Sequence, residues 1–367
     1  MNSFALYRLP YQQVCTLIVQ TEGNTKQWYS PEELNGQSGF VLAPFATSEN
    51  LPGLLIRTDY FLQGDVFNIC FHVRNKLFPR RKQFVSTAET IINEHLTIQE
   101  KDRYIRDFKH FHACLKTNVF KKIVISRCLE IEKSAGEDPV GLFETACRLY
   151  PRLFIALVYT PQSGMWLTAT PEILLEGDNS RWRTIALAGT MRLEGDALQG
   201  EGETARWSAK NIEEQRYVAS YIYDCLKTFA NDIHEEGPRT VRAANLVHLR
   251  SDFTFTLFNS ARVGELLHAL HPTPAVCGLP KEEALRFILE NEHTPRLYYS
   301  GFMGPLQLQG ATHLYVSLRC MQITDTHYRL YAGGGLLKES VEEQEWQETE
   351  AKLDTMRALI NRNNDNG

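Results

Sequence analysis

A lysine opens an apolar run, Lys122-Ile123-Val124-Ile125-Ser126-Arg127. Strand side chains alternate faces, so Lys122 shares its side with Val124 and Ser126. An ammonium on an apolar face is disfavoured unless something pairs with it or uses it. Burial favours the neutral amine, and a neutral amine is a base. The competing reading is a strand-end lysine whose stem snorkels to water. Glu172 follows Thr170-Pro171 at the entry to the apolar Ile173–Leu175. A buried carboxyl there would hold its proton and act as a general acid; on a surface turn it would only be solvated. Glu214 precedes Val218 by four residues and Ile222 by eight, on the core-facing stripe of a helical pattern. It needs a cation, a metal or a hydrogen-bond network there, or else it serves only to complement a helix N-terminus. Glu345 and Glu348 stand three apart at the start of the last helical pattern. Two carboxylates so placed repel unless one is protonated or a divalent cation lies between them, and hard oxygen donors suit Mg2+. The plain alternative is a solvated acidic first turn.

Two further features handle anions. Arg319 lies in Tyr315-Val316-Ser317-Leu318-Arg319-Cys320, read as one strand with Tyr315 and Ser317 on its face. A guanidinium in a strand centre suits bidentate carboxylate binding or a structural ion pair. Gly333-Gly334-Gly335 follows Tyr328–Ala332. Consecutive glycines permit close backbone approach and can cradle an anion, or form a tight turn. The spacing is neither GxGxxG nor a Walker loop. A base, an acid, three metal-type carboxylates, an arginine and a glycine cradle together make an inventory for acid–base chemistry on a small polyanion assisted by Mg2+.

These residues must be carried by strands and helices in mixed order. Short β-branched and aromatic runs predict strands at Val14–Val19, Gly53–Arg57, Val66–Val73, Lys122–Glu130, Leu153–Tyr159, Ile173–Glu176, Thr184–Leu187, Leu314–Ile323 and Tyr328–Ala332. Helical periodicity marks Ala209–Phe229, Glu282–Glu290 and Val341–Ile360. Gln162–Gly164, Leu193–Glu203 and Asn231–Arg239 read as loops. Without βαβα alternation or a long linker, the expectation is α+β: a single large domain of mainly antiparallel sheets flanked by helices. Within the 367 residues, 1–100 is expected to be a variable N-terminal part and 101–362 the catalytic region.

Composition narrows the class. Hydrophobic content of 43% and charged content of 23% are those of a soluble globular protein. With a net charge of -5 and no basic block, nucleic acid is not an expected partner. No apolar run approaches a membrane helix and no secretory leader is apparent, so a cytoplasmic protein without membrane contact is expected. The eight cysteines form no CxxC pair, which excludes a zinc knuckle and fits reduced core thiols.

The blocks KIVISR (122–127), TATPEILLEG (168–177), IALAGTMR (185–192), AKNIEEQRYV (209–218), HPTPAVCGLPKEEA (271–284), YYSGFMG (298–304), LYVSLRC (314–320), YAGGGL (331–336) and EWQETEAKLDTM (345–356) run in one order. In these blocks the chain resembles the chorismate-utilising enzymes: isochorismate, salicylate, anthranilate and aminodeoxychorismate synthases. The resemblance covers about two-thirds of the chain. It implies that Lys122 activates water for attack at C2 of chorismate and that Glu172 protonates the departing C4 hydroxyl. Glu214, Glu345 and Glu348 match Mg2+ carboxylates. Arg319, Tyr299 and the amides of Gly333, Gly334 and Gly335 match groups that hold the substrate carboxylates. Gly189, Thr190 and, nearby, His271 belong to the same site.

Two positions narrow the subfamily. Ammonia-using members carry glutamine where Lys122 stands, and an amide cannot take a proton from water. Salicylate and anthranilate synthases usually show threonine where this chain has Ala275; the Pro-Thr-Pro-Ala pattern is similar to isochorismate synthases. The implied activity is Mg2+-dependent conversion of chorismate to isochorismate, feeding menaquinone or catechol siderophore synthesis. Salicylate synthesis, with pyruvate elimination, and non-catalytic chorismate binding are the alternatives. A monomer without a glutamine amidotransferase subunit is expected, as is the absence of tryptophan feedback. Two departures stand out: the family's Glu-His pair is Glu214-Gln215, and its preceding Asp is Asn211.

Overall fold

A computed structural model describes residues 2–77, 94–133, 138–178, 180–192, 205–243 and 246–364. In chain order its strands are β1 (Ser3–Arg8), β2 (Val14–Gln20), β3 (Lys26–Trp28), β4 (Gly39–Ala43), β5 (Gly53–Ile56), β6 (Tyr60–Asp65), β7 (Lys122–Glu132), β8 (Phe154–Thr160), β9 (Gly164–Thr170), β10 (Ile173–Gly177), β11 (Trp182–Arg192), β12 (Ala230–Ala243), β13 (Leu246–Leu257), β14 (Gly278–Leu279), β15 (Phe302–Leu306), β16 (Thr312–Val316), β17 (Cys320–Ile323) and β18 (His327–Leu336). The helices are α1 (Val66–Leu77), α2 (Glu94–Lys116), α3 (Pro139–Leu149), α4 (Ala209–Phe229), α5 (Val263–Leu270), α6 (Lys281–Asn291) and α7 (Glu342–Asn364).

The strands form two nine-stranded sheets, β14-β7-β18-β17-β9-β8-β1-β2-β6 and β12-β13-β11-β10-β16-β15-β4-β5-β3. Every strand pairing among the described residues is antiparallel. The sheets pack face to face. Alternation along β1 shows how: Ala5 and Tyr7 point to the inter-sheet core, Phe4 and Leu6 to a helical layer. Across the inter-sheet core Phe154 of the first sheet stacks on Tyr315 of the second with ring centroids 4.2 Å apart. Helices α1, α3 and α7 cover the outer face of the first sheet, and α4 and α5 that of the second. A smaller cluster joins α2 and α6 to β7. The α+β architecture of antiparallel sheets flanked by helices is therefore as expected.

The N-terminal strands are woven in. β1 lies between β2 and β8, and β4 between β5 and β15. Residue 100 falls inside α2 rather than at a junction.

Four local expectations change. Val66–Val73 is helical, not a strand. Its buried residues Ile69, Cys70 and Val73 follow helical spacing, Phe67 and Phe71 are exposed, and the Asp65 carboxylate accepts from the amide of Asn68 at 3.0 Å. Asn231–Arg239 is not a loop but part of β12, whose exposed charges suit a sheet edge. The run Leu314–Ile323 is not one strand: β16 ends at Val316 in the second sheet and β17 starts at Cys320 in the first. Gly333–Gly335 do not follow a strand as a turn; they continue β18, paired with Ser126, Ile125 and Val124. The loop predicted at Leu193–Glu203 lies outside the described residues.

Candidate active site

Two chain crossings between the sheets run side by side and place the acid and the arginine. The chain leaves β9 at Thr170 and enters β10 at Ile173, and it leaves β16 at Val316 and enters β17 at Cys320. β9 pairs with β17 and β10 with β16, so the crossings are neighbours. The carbonyl of Glu172 accepts from the amide of Val316 at 2.9 Å, and that of Arg319 from the amide of Ala169 at 3.1 Å. Arg319 takes φ 45°, a left-handed conformation uncommon for a non-glycine residue. The strand-centre expectation for Arg319 fails here, because a residue at a sheet crossing follows no pleat.

Glu172 and Arg319 line a cleft of about 640 Å³, part of it open solvent, together with Gly189, Thr190, Glu214 and Ala275. Tyr299, Gly333 and Gly335 also line it, as do His248, Tyr331 and Lys352. Glu172 is 3% exposed. Burial pushes its carboxyl up to about 8, outweighing Lys122, Lys352 and Arg319, so it holds its proton at neutral pH. Burial also lowers Arg319, to about 10, which leaves the guanidinium charged.

Arg319 is held from the second sheet. It donates to the Ala243 carbonyl at 2.9 Å and, through its other terminal nitrogen, to Nε2 of His248. His248 stands in β13, and its Nδ1 is 3.1 Å from the Gly189 carbonyl. Burial first, and Arg319 next, push its pKa far down, so the ring is neutral. Its Nε2 then accepts from Arg319 while Nδ1–H donates to Gly189. Gly189 sits at φ 70° where the β11–β13 register shifts, and a Cβ there would lie 3.2 Å from Cβ of Asn211 on α4. Glycine suits the left-handed conformation, and a Cβ there would also crowd Asn211.

The carboxylates lie around the glycine strand. β17 pairs with β18 only as far as Tyr331, so Gly333–Gly335 have a strand neighbour only on the β7 side. A Cβ on Gly335 would strike the Glu214 carboxylate and lie 2.8 Å from Cε of Lys122; one on Gly334 would face Oε2 of Glu345 at 3.6 Å and Oε1 of Glu348 at 3.9 Å. Lys122 is fully buried, 3.0 Å from Oε1 of Glu214. Lys210 pairs with Glu345, and Lys352 binds Glu348 at 2.7 Å and the Gly333 carbonyl at 2.8 Å. Burial raises the Glu214 carboxyl, but Lys122 and Lys210 outweigh that and hold it below its usual range. Glu345 goes the other way, to about 7, by burial and then by Glu348, with Lys210 opposing.

A profile described as "Chorismate binding enzyme" matches residues 66–361. The chain belongs to this chorismate-binding enzyme family. It is 28% identical over 278 residues to isochorismate synthase EntC of Escherichia coli K12, covering 75% of this chain and 71% of that protein. It is 34% identical over 272 residues to isochorismate synthase DhbC of Bacillus subtilis 168, covering 71% and 68%. The structure of MenF, the menaquinone-specific isochorismate synthase of Escherichia coli, superposes with a TM-score of 0.76 at 22% identity, over 98% of this chain and 89% of that one, and shows the shared fold.

Set against the expectations for a family member, nine residues line the cleft: Glu172, Gly189, Thr190, Glu214, Ala275, Tyr299, Arg319, Gly333 and Gly335. Lys122, Gly334, Glu345 and Glu348 are not among its lining residues and stand behind it. His271 does not join them either. Its Nε2 faces the carbonyls of Pro44 and Phe45 at 3.3 and 3.2 Å, and burial pushes it down to about 3, so it is a neutral strut. Sequence reading missed His248, Lys210 and Lys352. The two lysines left a signal, each four residues from an acid on its helix (Lys210 and Glu214, Glu348 and Lys352). His248 left none, since its partners come from two distant segments. Gln215, the departure from the family's histidine, is buried and donates to the Ala186 carbonyl at 3.2 Å, tying α4 to β11 beside Glu214.

Among the described residues no three acidic, histidine or cysteine groups converge as a metal cage. The donor set nonetheless fits Mg2+: three hard carboxylates share one region, and Oε2 of Glu345 is buried without a hydrogen-bond partner.

Proposed function

We propose that this chain is an isochorismate synthase, converting chorismate to isochorismate. The observation that carries the reading is Glu172, a carboxyl that burial keeps protonated at neutral pH and that lines, with Arg319, a partly open cleft of about 640 Å³. Chorismate and isochorismate are isomers, so gain of a water oxygen at C2 must balance loss of the hydroxyl at C4. Glu172 donates its proton to the leaving hydroxyl as the C4–O bond breaks. Lys122, as the neutral amine, accepts a proton from the attacking water as the C2–O bond forms and the ring double bonds shift, and is then the ammonium that pairs with Glu214. The lysine stands behind Gly335, and the missing side chain there keeps the amine close to the cleft. Arg319 and Lys352 supply the cations for the substrate carboxylates, with Tyr299 and Gly333 beside them. Glu214, Glu345 and Glu348 would hold Mg2+, which when bound supplies charge neutralisation for a carboxylate.

Ala275 lines the cleft and supports water addition without pyruvate loss, by resemblance to isochorismate synthases. The enzyme acts alone as a cytoplasmic monomer, its product entering menaquinone or siderophore synthesis. No described helix is long and apolar enough to cross a membrane. Incubation of the purified protein with chorismate and Mg2+, followed by chromatography, should give isochorismate alone. Salicylate with pyruvate, anthranilate when ammonia is added, or no turnover would each overturn the reading.

A further inference from the structure

Arg127 is a buried guanidinium that the mechanism does not use. It stands in β7 opposite Ala332 of β18, beside the Gly333–Gly335 run, and is 2% exposed. All three of its nitrogens are engaged. Nε donates to the Thr349 hydroxyl at 2.7 Å, one terminal nitrogen to Glu100 of α2 and the other to Glu350. Its Cζ lies 3.8 Å from the ring centroid of Trp346, a cation–π contact. Tyr104 of α2 packs edge-on against the same ring, with centroids 5.2 Å apart.

Trp346, Thr349 and Glu350 belong to α7 and alternate along it with Glu345 and Glu348. At about 100° per residue the three form a stripe beside that of the two carboxylates. One guanidinium therefore grips the opening turns of α7 from the side and pulls on neither carboxylate. Lys210, by contrast, holds this segment through Glu345 itself. Leu353 and Met356 anchor the helix in the core, but apolar packing is non-directional.

The angle of the helix matters here at the scale of a bond. Side-chain tips lie roughly 5–6 Å from a helix axis, so a turn of about 20° moves a carboxylate by about 2 Å. That is a whole Mg2+–oxygen distance, and Mg2+ demands near-ideal octahedral geometry. A buried ion network adds little net stability over apolar packing, whereas its directional bonds fix one rotation.

We infer that Arg127 is a positioning residue for the metal carboxylates. By gripping Trp346, Thr349 and Glu350 it sets the rotation of α7, and so the aim of Glu345 and Glu348. The inference rests on the reading of those two carboxylates as Mg2+ ligands. Arg127 itself does not line the catalytic cleft.

Calorimetric titration of Mg2+ into the full, substrate-free chain tests this, with melting temperatures measured alongside. Arg127→Lys keeps the charge but loses the planar fork. It should weaken Mg2+ binding roughly tenfold, the low end of what loss of a supporting partner costs a metal site. Thr349→Val, nearly isosteric, removes only the acceptor of Nε and should weaken binding a few-fold. The Mg2+ concentration for half-maximal turnover should rise by the same factors. Leu306→Ala, in the buried β15 of the second sheet, should lower the melting temperature without moving Mg2+ affinity. Affinity lost in Glu348→Gln but unchanged in both Arg127→Lys and Thr349→Val overturns this inference alone. An equal loss in Leu306→Ala also overturns it, by reducing Arg127 to general stability. Affinity that survives Glu348→Gln overturns the metal reading, and this inference with it.

Discussion

At the scale of single residues, the chemistry rests on groups whose charge state is set by what surrounds them. Glu172 and Glu214 are both buried carboxyls, yet they are pushed in opposite directions. Glu214 touches a lysine, while Glu172 has only more distant cations and is dominated by burial. The raised pKa of Glu172 has a kinetic and a thermodynamic consequence. As a general acid it must be protonated, so kcat should fall as pH rises through about 8. Because the folded state keeps this proton longer than the unfolded one, the wild type should lose stability as pH climbs from the ordinary carboxyl range toward 8, at about 1.4 kcal/mol for each unit of pKa difference. Thermal melts of wild type and Glu172→Gln at pH 6 and 8.5 check the sign: the wild type should drop more, because glutamine has no proton to lose. Lys122→Ala should lower kcat by about 10²–10⁴ as the loss of a general base. It should also leave Glu214 buried and unpaired, so the melting temperature must be measured alongside. A kcat within a few-fold of wild type would make Lys122 a structural counter-ion.

At the scale of elements, the site is built where regular structure stops. Glu172 and Arg319 sit on adjacent crossings between sheets, and Gly189 on a register shift. The glycine run extends β18 past the end of its β17 neighbour. Helix periodicity made Glu214, Glu345 and Glu348 legible, because neighbours on one helix face are fixed by local spacing. Arg319 and His248 were not legible as a pair, because 71 residues separate them and only the sheet crossing brings them together. The strand misassigned over Val66–Val73 has the same origin: β-branched and aromatic residues fit a strand, and burial of Ile69, Cys70 and Val73 against the sheet selected a helix. Gly335 gives the sharpest test at this scale. Gly335→Ala pushes a methyl into the Glu214 carboxylate and against Lys122. It should cost about 1–3 kcal/mol in denaturant unfolding, the usual range for overpacking, and abolish turnover. Full activity would show that the ion pair can step aside.

At the scale of the whole molecule, two sheets share one inter-sheet core, and strands from both ends of the chain complete each of them. The N-terminal region reads as a variable part of the fold, yet β1 is buried along its whole length between β2 and β8, and β4 lies beside β15. Removal of residues 1–65 should therefore yield a chain without a cooperative melting transition in circular dichroism. A fragment that still melts cooperatively would mean that the family-matched region folds on its own.

By itself the sequence determined which reactive groups this protein carries and, through spacing and block order, the family they serve. By resemblance, a lysine in place of an amide already pointed to water as the nucleophile, and an alanine in place of a hydroxyl to isochorismate rather than salicylate synthesis. Only the tertiary structure decided which of those groups face the cleft and which carboxyl keeps its proton. It removed His271 from the site and brought in His248, Lys210 and Lys352. The physical reason is one of range. Periodicity and residue type are local properties of a chain, whereas burial and charge pairing depend on groups that meet only when distant segments pack.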